Sequence, residues 1–130
     1  MADNGSILVT GAAGQLGAVG RTVTGLLLEH GLPVLALVRR KDDRAAALRA
    51  AGAEVVIGDL LEPADVHRVL SGCRRVYFGM SVSAAYLEAT VNIAAVAREI
   101  GVDALVNMSQ MTVSQMSLQN ATPSPQQRQH

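Results

Sequence analysis

The sequence has no tryptophan, one phenylalanine and two tyrosines, so aromatics make up only 2% of it. A base-stacking platform for single-stranded nucleic acid needs rings that this chain lacks. A core built with so few rings must be aliphatic and alanine-packed. Cysteine is nearly absent too. Cys73 stands alone, which excludes an internal disulfide. The three histidines are dispersed and offer no metal-ligand spacing. Neither sign of charge is in excess: 11 Lys and Arg face 11 Asp and Glu, which leaves no global basic field for nucleic acid. Residues 1–6 carry no basic, apolar signal sequence, and no apolar run reaches membrane-spanning length. These absences make a reduced, cytoplasmic location the expectation, with neither nucleic acid nor membrane as a direct partner.

What is present is apolar and periodic. Hydrophobic residues are 49% of the 130, enough for one domain with a real core. Short β-branched runs at 7–10, 34–38, 54–57, 75–79 and 104–108 read as strands. Segments 15–30, 43–51, 63–70 and 84–100 read as helices between them. In the first helix Leu16, Val19, Val23, Leu26 and Leu27 recur at helical spacing, and Gly31 suits its end. Gly20 and Gly25 lie inside that helix, where they cost stability and let it pack close to the sheet. In the fourth helix Leu87, Val91, Ala94, Ala95 and Val96 are expected to form the buried face. The alternation predicts an α/β fold, a doubly wound parallel Rossmann sheet of five strands in the order 3-2-1-4-5. A ligand is expected in the crevice where that order reverses, beyond the carboxyl ends of the strands.

The stretch Ile7-Leu8-Val9-Thr10-Gly11-Ala12-Ala13-Gly14-Gln15-Leu16-Gly17 falls at that crevice. It reads as a buried strand, a glycine turn and the start of a helix. Such a turn suits a phosphate, because a helix N-terminus offers unpaired N–H groups and the positive end of its dipole. Gly11 allows a tight exit from the strand, Gly14 a close approach of the ligand, and Gly17 close helix–strand packing. The tails of the other strands meet there as well: Arg39, Asp59, Gly79 to Ser81, and Ser109 with Gln110.

Thr10 to Gly17, Leu37-Val38-Arg39-Arg40, Gly58-Asp59-Leu60 and Val106-Asn107-Met108-Ser109 together resemble the NmrA-like branch of atypical short-chain dehydrogenases/reductases. The resemblance spans residues 7–130 and implies a bound nicotinamide dinucleotide. Gly11, Gly14 and Gly17 would then face the pyrophosphate, with Thr10, Ala13, Gln15, Leu16, Gly79, Met80 and Ser81 among the cofactor-binding residues. Arg39 stands where an acid would hold a free ribose 2′-hydroxyl, and a guanidinium there suits a 2′-phosphate. With Arg40 or Lys41 beside it, NADP(H) is preferred and NAD(H) remains open, since Asp42 and Asp43 compete. A solvated basic loop is the alternative. Asp59 and Leu60 resemble the family's adenine-side pair; the alternative is a turn in which Asp59 caps the third helix.

The family's Tyr-x-x-x-Lys signature is replaced by Gln126-Gln127-Arg128-Gln129-His130. Gln126 cannot serve as a general acid, which leaves Ser109 and His130 as weak catalytic candidates. Tyr77 and Tyr86 read as core or rim residues. The domain is expected over 5–110, with 111–130 a polar loop or tail rich in Ser, Gln, Asn and Thr. The chain thus reads as the N-terminal portion of such a protein, without its substrate lobe. Leu105 and Val106 would then lie on an exposed edge strand prone to self-association. Two functions fit. One is a dinucleotide-binding sensor or regulatory module with a protein partner. The other is an NADPH-dependent oxidoreductase that reduces quinones or similar small carbonyl acceptors, which need no strong general acid.

Overall fold

The computed structural model describes residues 5–14, 19–81 and 83–109. Its elements run β1 (Ser6–Val9), α1 (Val19–Glu29), β2 (Val34–Val38), α2 (Asp43–Ala50), β3 (Glu54–Ile57), α3 (Pro63–Leu70), β4 (Cys73–Phe78), α4 (Tyr86–Ile100) and β5 (Ala104–Asn107). All strands pair in parallel, in the order β3-β2-β1-β4-β5. β1 sits at the centre, where the winding reverses between β2 and β4. The tails of these strands therefore end on one side of the sheet, around the end of β1. The segment expected as a polar tail, 111–130, lies outside the described residues.

β1 is apolar on both faces because helices cover both. Ile7 and Val9 face α1 and α2, packing with Val34, Ala36, Val38, Ala45 and Leu48. Leu8 faces the other way, with Val76, Phe78 and the apolar faces of α3 and α4. The rings of Phe78 and Tyr86 meet at 5.8 Å and 39°. Such a pair adds about 0.5–1.5 kcal/mol beyond its area. α4 ends where Gly101 takes φ +80, the left-handed cap that favours glycine.

Two expected faces differ from those observed. α4 buries Tyr86, Ala89, Ile93, Val96 and Ala97, whereas Leu87 and Val91 are 51% and 57% exposed. Ala94 and Ala95 are exposed as well, so of the expected face only Val96 is buried. The helix carries apolar residues on two stripes, and docking against α3 and β4 turns the stripe that contains Ile93 inward. In α1 the inward side is Gly20, Val23, Thr24 and Leu27, while Val19 and Leu26 are exposed. Thr24 avoids an unpaired hydroxyl by donating to Gly20 O at 2.8 Å. All four residues of β5 are exposed, Val106 by 58%, as expected of an edge strand.

Candidate functional site

The site begins with a clasp between the tails of β1 and β4. The Thr10 N–H donates to Tyr77 O at 3.0 Å. Its hydroxyl donates to Gly79 O at 2.8 Å and accepts from Gly79 N at 2.9 Å. Thr10 is 1% exposed, and its one hydroxyl proton is already engaged. Its role is to fix the two strand tails together rather than to donate to a ligand.

The glycine turn rests on this clasp. Gly11 has φ +71, and a Cβ there would stand 2.8 Å from Gly79 O. A Cβ on Gly20 would stand 2.6 Å from Gly11 O, so bare glycine is what lets α1 pack on the turn. The Gly14 N–H donates to Gly11 O at 3.1 Å and is internal to the turn. Gln15, Leu16 and Gly17, expected to belong to the same site, lie outside the described residues.

Above the turn opens a cleft of about 540 Å³. Small-molecule sites span roughly 300–1,000 Å³. The cleft brings together Thr10, Gly11, Ala13, Gly14, Arg39, Arg40, Asp59, Leu60, Gly79, Met80 and Ser81. These come from the tails of β1, β2, β3 and β4, as the winding of the sheet requires. Ser109 follows β5, is exposed, and is not among the described residues that line the cleft. His130 lies outside the described residues.

Two polar wall residues, Arg44 and Ser83, were not among the expected site residues, and neither were the apolar Leu61 and Ala85. Arg44, in the first turn of α2, has its guanidinium braced on Asp42. Its Nη2 and Nε donate to Asp42 Oδ2 at 2.9 and 3.3 Å, and its Nη1 donates to Ala13 O at 3.3 Å. The signal was there in the run Arg39 to Arg44, but spacing alone could not show which cation turns back to the glycine turn. Ser83, beyond the tail of β4, also lines the cleft.

Asp42 is itself occupied. Besides holding Arg44, its Oδ1 caps α2 by accepting from Arg44 N at 3.0 Å and Ala45 N at 3.1 Å. The Arg44 guanidinium and the Ala45 N–H hold its carboxyl below the usual carboxylate range. Asp42, one of the two acids expected to compete, is thus engaged by its own helix, and the other, Asp43, is not among the described residues that line the cleft. Arg39 and Arg40 are exposed on the same wall.

Asp59 does not cap α3, the alternative the sequence left open. The cap position is Glu62, with no side-chain hydrogen bond, and Pro63 follows at the first helical position. Asp59 instead closes a turn on itself, Oδ1 accepting from Leu61 N at 2.9 Å.

Neither tyrosine stands as an activated acid. Tyr77 donates to Met108 Sδ at 3.2 Å, and burial pushes its pKa up. Tyr86 is 1% exposed and donates to Asn107 Oδ1 at 3.1 Å.

A central parallel sheet, a glycine turn built around two bare Cα atoms, and a cleft at the winding reversal define a dinucleotide-binding Rossmann protein. A family described as NAD(P)H-binding matches residues 11–129. The chain belongs to that family, and its cofactor is NAD(P)(H). The fold is shared with a triphenylmethane reductase from Citrobacter sp., at 25% identity and TM-score 0.70, over 96% of this chain and 42% of that one. It is shared as well with an NADPH-dependent quinone oxidoreductase from Escherichia coli, solved with NADPH. There the identity is 24% and the TM-score 0.71, over 95% of this chain and 41% of that one. A chloroplast protein of Arabidopsis thaliana, High Chlorophyll Fluorescence Phenotype 173, is 30% identical over 77 residues, 59% of this chain and 12% of that protein. The chain therefore spans about two fifths of the length of those two solved reductases. No helix among the described residues is long and apolar enough to cross a membrane.

Proposed function

We propose that the cleft selects NADP(H) over NAD(H) and holds it for hydride transfer to a conjugated, quinone-like acceptor. The observation that carries the selection is the wall of Arg39, Arg40 and Arg44, whose neighbouring acid, Asp42, is taken up by the cap of α2. A 2′-phosphate set against it meets three guanidinium groups, which recognise phosphate oxygens through paired N–H donors. Arg44 starts with the least freedom to lose, because Asp42 and Ala13 O already fix it.

The remaining roles follow the walls. The glycine turn admits the pyrophosphate, Asp59 accepts from the adenine amine, and Leu60 packs on the base. The tail Gly79-Met80-Ser81 borders the nicotinamide half. When bound, the nicotinamide supplies the hydride, and the chain contributes position and exclusion of water. A quinone-like acceptor suits a site whose two tyrosines are tied to Met108 and Asn107. Likeness to a reductase of triphenylmethane dyes supports an extended, conjugated acceptor.

The same tied tyrosines favour a second reading, a sensor or regulatory module that binds the dinucleotide and passes its redox state to a protein partner. The two readings part on turnover. NADPH oxidation followed with a panel of quinones, on the full-length protein, is expected to show catalysis under the first. Tight NADPH binding with no turnover of any quinone would favour the second.

A further inference from the structure

The cleft wall that carries Asp59 and Leu60 is held from behind by side chains that do not line the cleft. Between Ile57 and Leu61 four backbone groups are taken by side chains rather than by the sheet. Ile57 O accepts from Arg68 Nη2 at 2.8 Å, and the Asp59 N–H donates to Asp65 Oδ2 at 2.9 Å. Leu60 O accepts from Asn92 Nδ2 at 2.9 Å, and the Leu61 N–H donates to Asp59 Oδ1 at 2.9 Å. Arg68 Nη2 also donates to Asp65 Oδ1 at 3.2 Å, so Asp65 is braced from both sides. Two helices, α3 through Asp65 and Arg68 and α4 through Asn92, thus set one short loop.

The consequence falls on Asp59. With Oδ1 fixed on Leu61 N, its Oδ2 has no hydrogen bond among the described residues, on a side chain that lines the cleft. A carboxylate oxygen placed in this way accepts one N–H and repels a carbonyl. Its ability to tell the two apart depends on its position, and that position is set by the Asp59 N–H on Asp65.

We infer that Asp65, braced by Arg68 and assisted by Asn92, is a positioning residue for base selectivity: it holds Asp59 so that Oδ2 accepts from the exocyclic amine of adenine. The inference rests on the reading of Asp59 and Leu60 as the adenine side of the cleft. It differs from a stabilising role, because a loop merely kept folded would bind an amine-bearing and a carbonyl-bearing base with unchanged preference.

The test compares dissociation constants for NADPH and for its hypoxanthine analogue, in which a carbonyl replaces the adenine amine. Wild type is expected to prefer NADPH by about tenfold or more, the value of one hydrogen bond to a charged acceptor. Asp59→Asn is expected to lose that preference. Asp65→Ala should lose it with Asp59 still present, and Asp65→Asn, whose amide oxygen can still accept the Asp59 N–H, should restore most of it. Asn92→Leu, on a different helix, provides a second route should Asp65→Ala fold poorly, and is expected to narrow the preference. A preference kept in Asp65→Ala and Asn92→Leu, but lost in Asp59→Asn, would overturn the positioning role and leave the adenine reading standing. No preference in wild type would overturn both.

Discussion

Gly20→Ala and Gly25→Ala place the same methyl at two positions of one helix, and the structure assigns them opposite outcomes. On helix propensity alone each gains about 1 kcal/mol, because alanine has less backbone freedom to lose. At Gly25 no atom lies within 4 Å of the added Cβ, so that gain is kept. At Gly20 the Cβ would lie 2.6 Å from Gly11 O, 2.7 Å from Gly11 C and 3.0 Å from Ala12 N, all of them backbone. To reach ordinary contact at 3.4 Å, α1 and the glycine turn must part by about 0.8 Å. Overpacking of this kind costs about 1–3 kcal/mol, which cancels or outweighs the propensity gain. At about 3–6 °C per kcal/mol for a domain of this size, Gly25→Ala should melt a few degrees above wild type and Gly20→Ala at or below it. The two should differ in function too. Gly20→Ala shifts the turn that receives the pyrophosphate, and a misplacement near 1 Å can cost up to about a hundredfold. NADPH affinity should therefore fall in Gly20→Ala and hold in Gly25→Ala. Calorimetric melting and fluorescence titration with NADPH would measure both. A Gly20→Ala protein as stable as Gly25→Ala, with unchanged NADPH affinity, would refute the close packing of helix on turn.

Three further outcomes are expected. Burial, with Glu54 adding to it, pushes the Cys73 thiol up to about 11. Iodoacetamide at pH 8 should therefore label the native chain more than about a hundredfold more slowly than the denatured one, and equal rates would contradict it. Asp42, Asp65 and Asp103 are all held below the usual carboxylate range, by Arg44, by the Asp59 N–H with Arg68, and by Arg74 respectively. Because their folded values are the lower ones, the stability they contribute is present above the ordinary carboxylate pKa, about 3.9, and fades as pH falls through the folded values. Melting temperatures should thus fall in acid below that point, and a rise there would contradict these contacts. On α4, Leu87→Gln and Val91→Gln should cost less than about 0.5 kcal/mol, as exposed positions do. Ile93→Ala, at 0% exposure, should cost about 2–5 kcal/mol. Denaturant unfolding of the three variants would show whether the expected or the observed face is buried.

The sheet order was legible because strand periodicity and glycine punctuation are local signals, and the crossover rule then leaves few topologies. The glycine turn and the strand tails were legible for the same reason, since a doubly wound sheet brings the carboxyl ends of its strands together. The buried face of α4 was not. Leu87-Val91-Ala94 and Tyr86-Ala89-Ile93 are both apolar stripes, and the choice between them is made by α3 and β4, which lie far away in sequence. Arg44 was hidden for a related reason. It belongs to a run of charges that reads equally well as a solvated loop, and only the bend at the cap of α2 turns it onto Ala13 O. Asp65, Arg68 and Asn92 gave no sequence signal at all, because each acts on backbone groups that no spacing rule connects to it.

The most direct measurement of NADP(H) selection is the pair of dissociation constants for NADPH and NADH, by titration calorimetry, on wild type and on Arg39→Ala, Arg40→Ala and Arg44→Ala. NADPH is expected to bind wild type at least about tenfold more tightly than NADH, as charge-assisted contacts to one phosphate should provide. Each substitution should weaken NADPH while leaving NADH nearly unchanged. Equal affinities in wild type, or equal losses for both cofactors in all three variants, would contradict a basic wall that reads the 2′-phosphate.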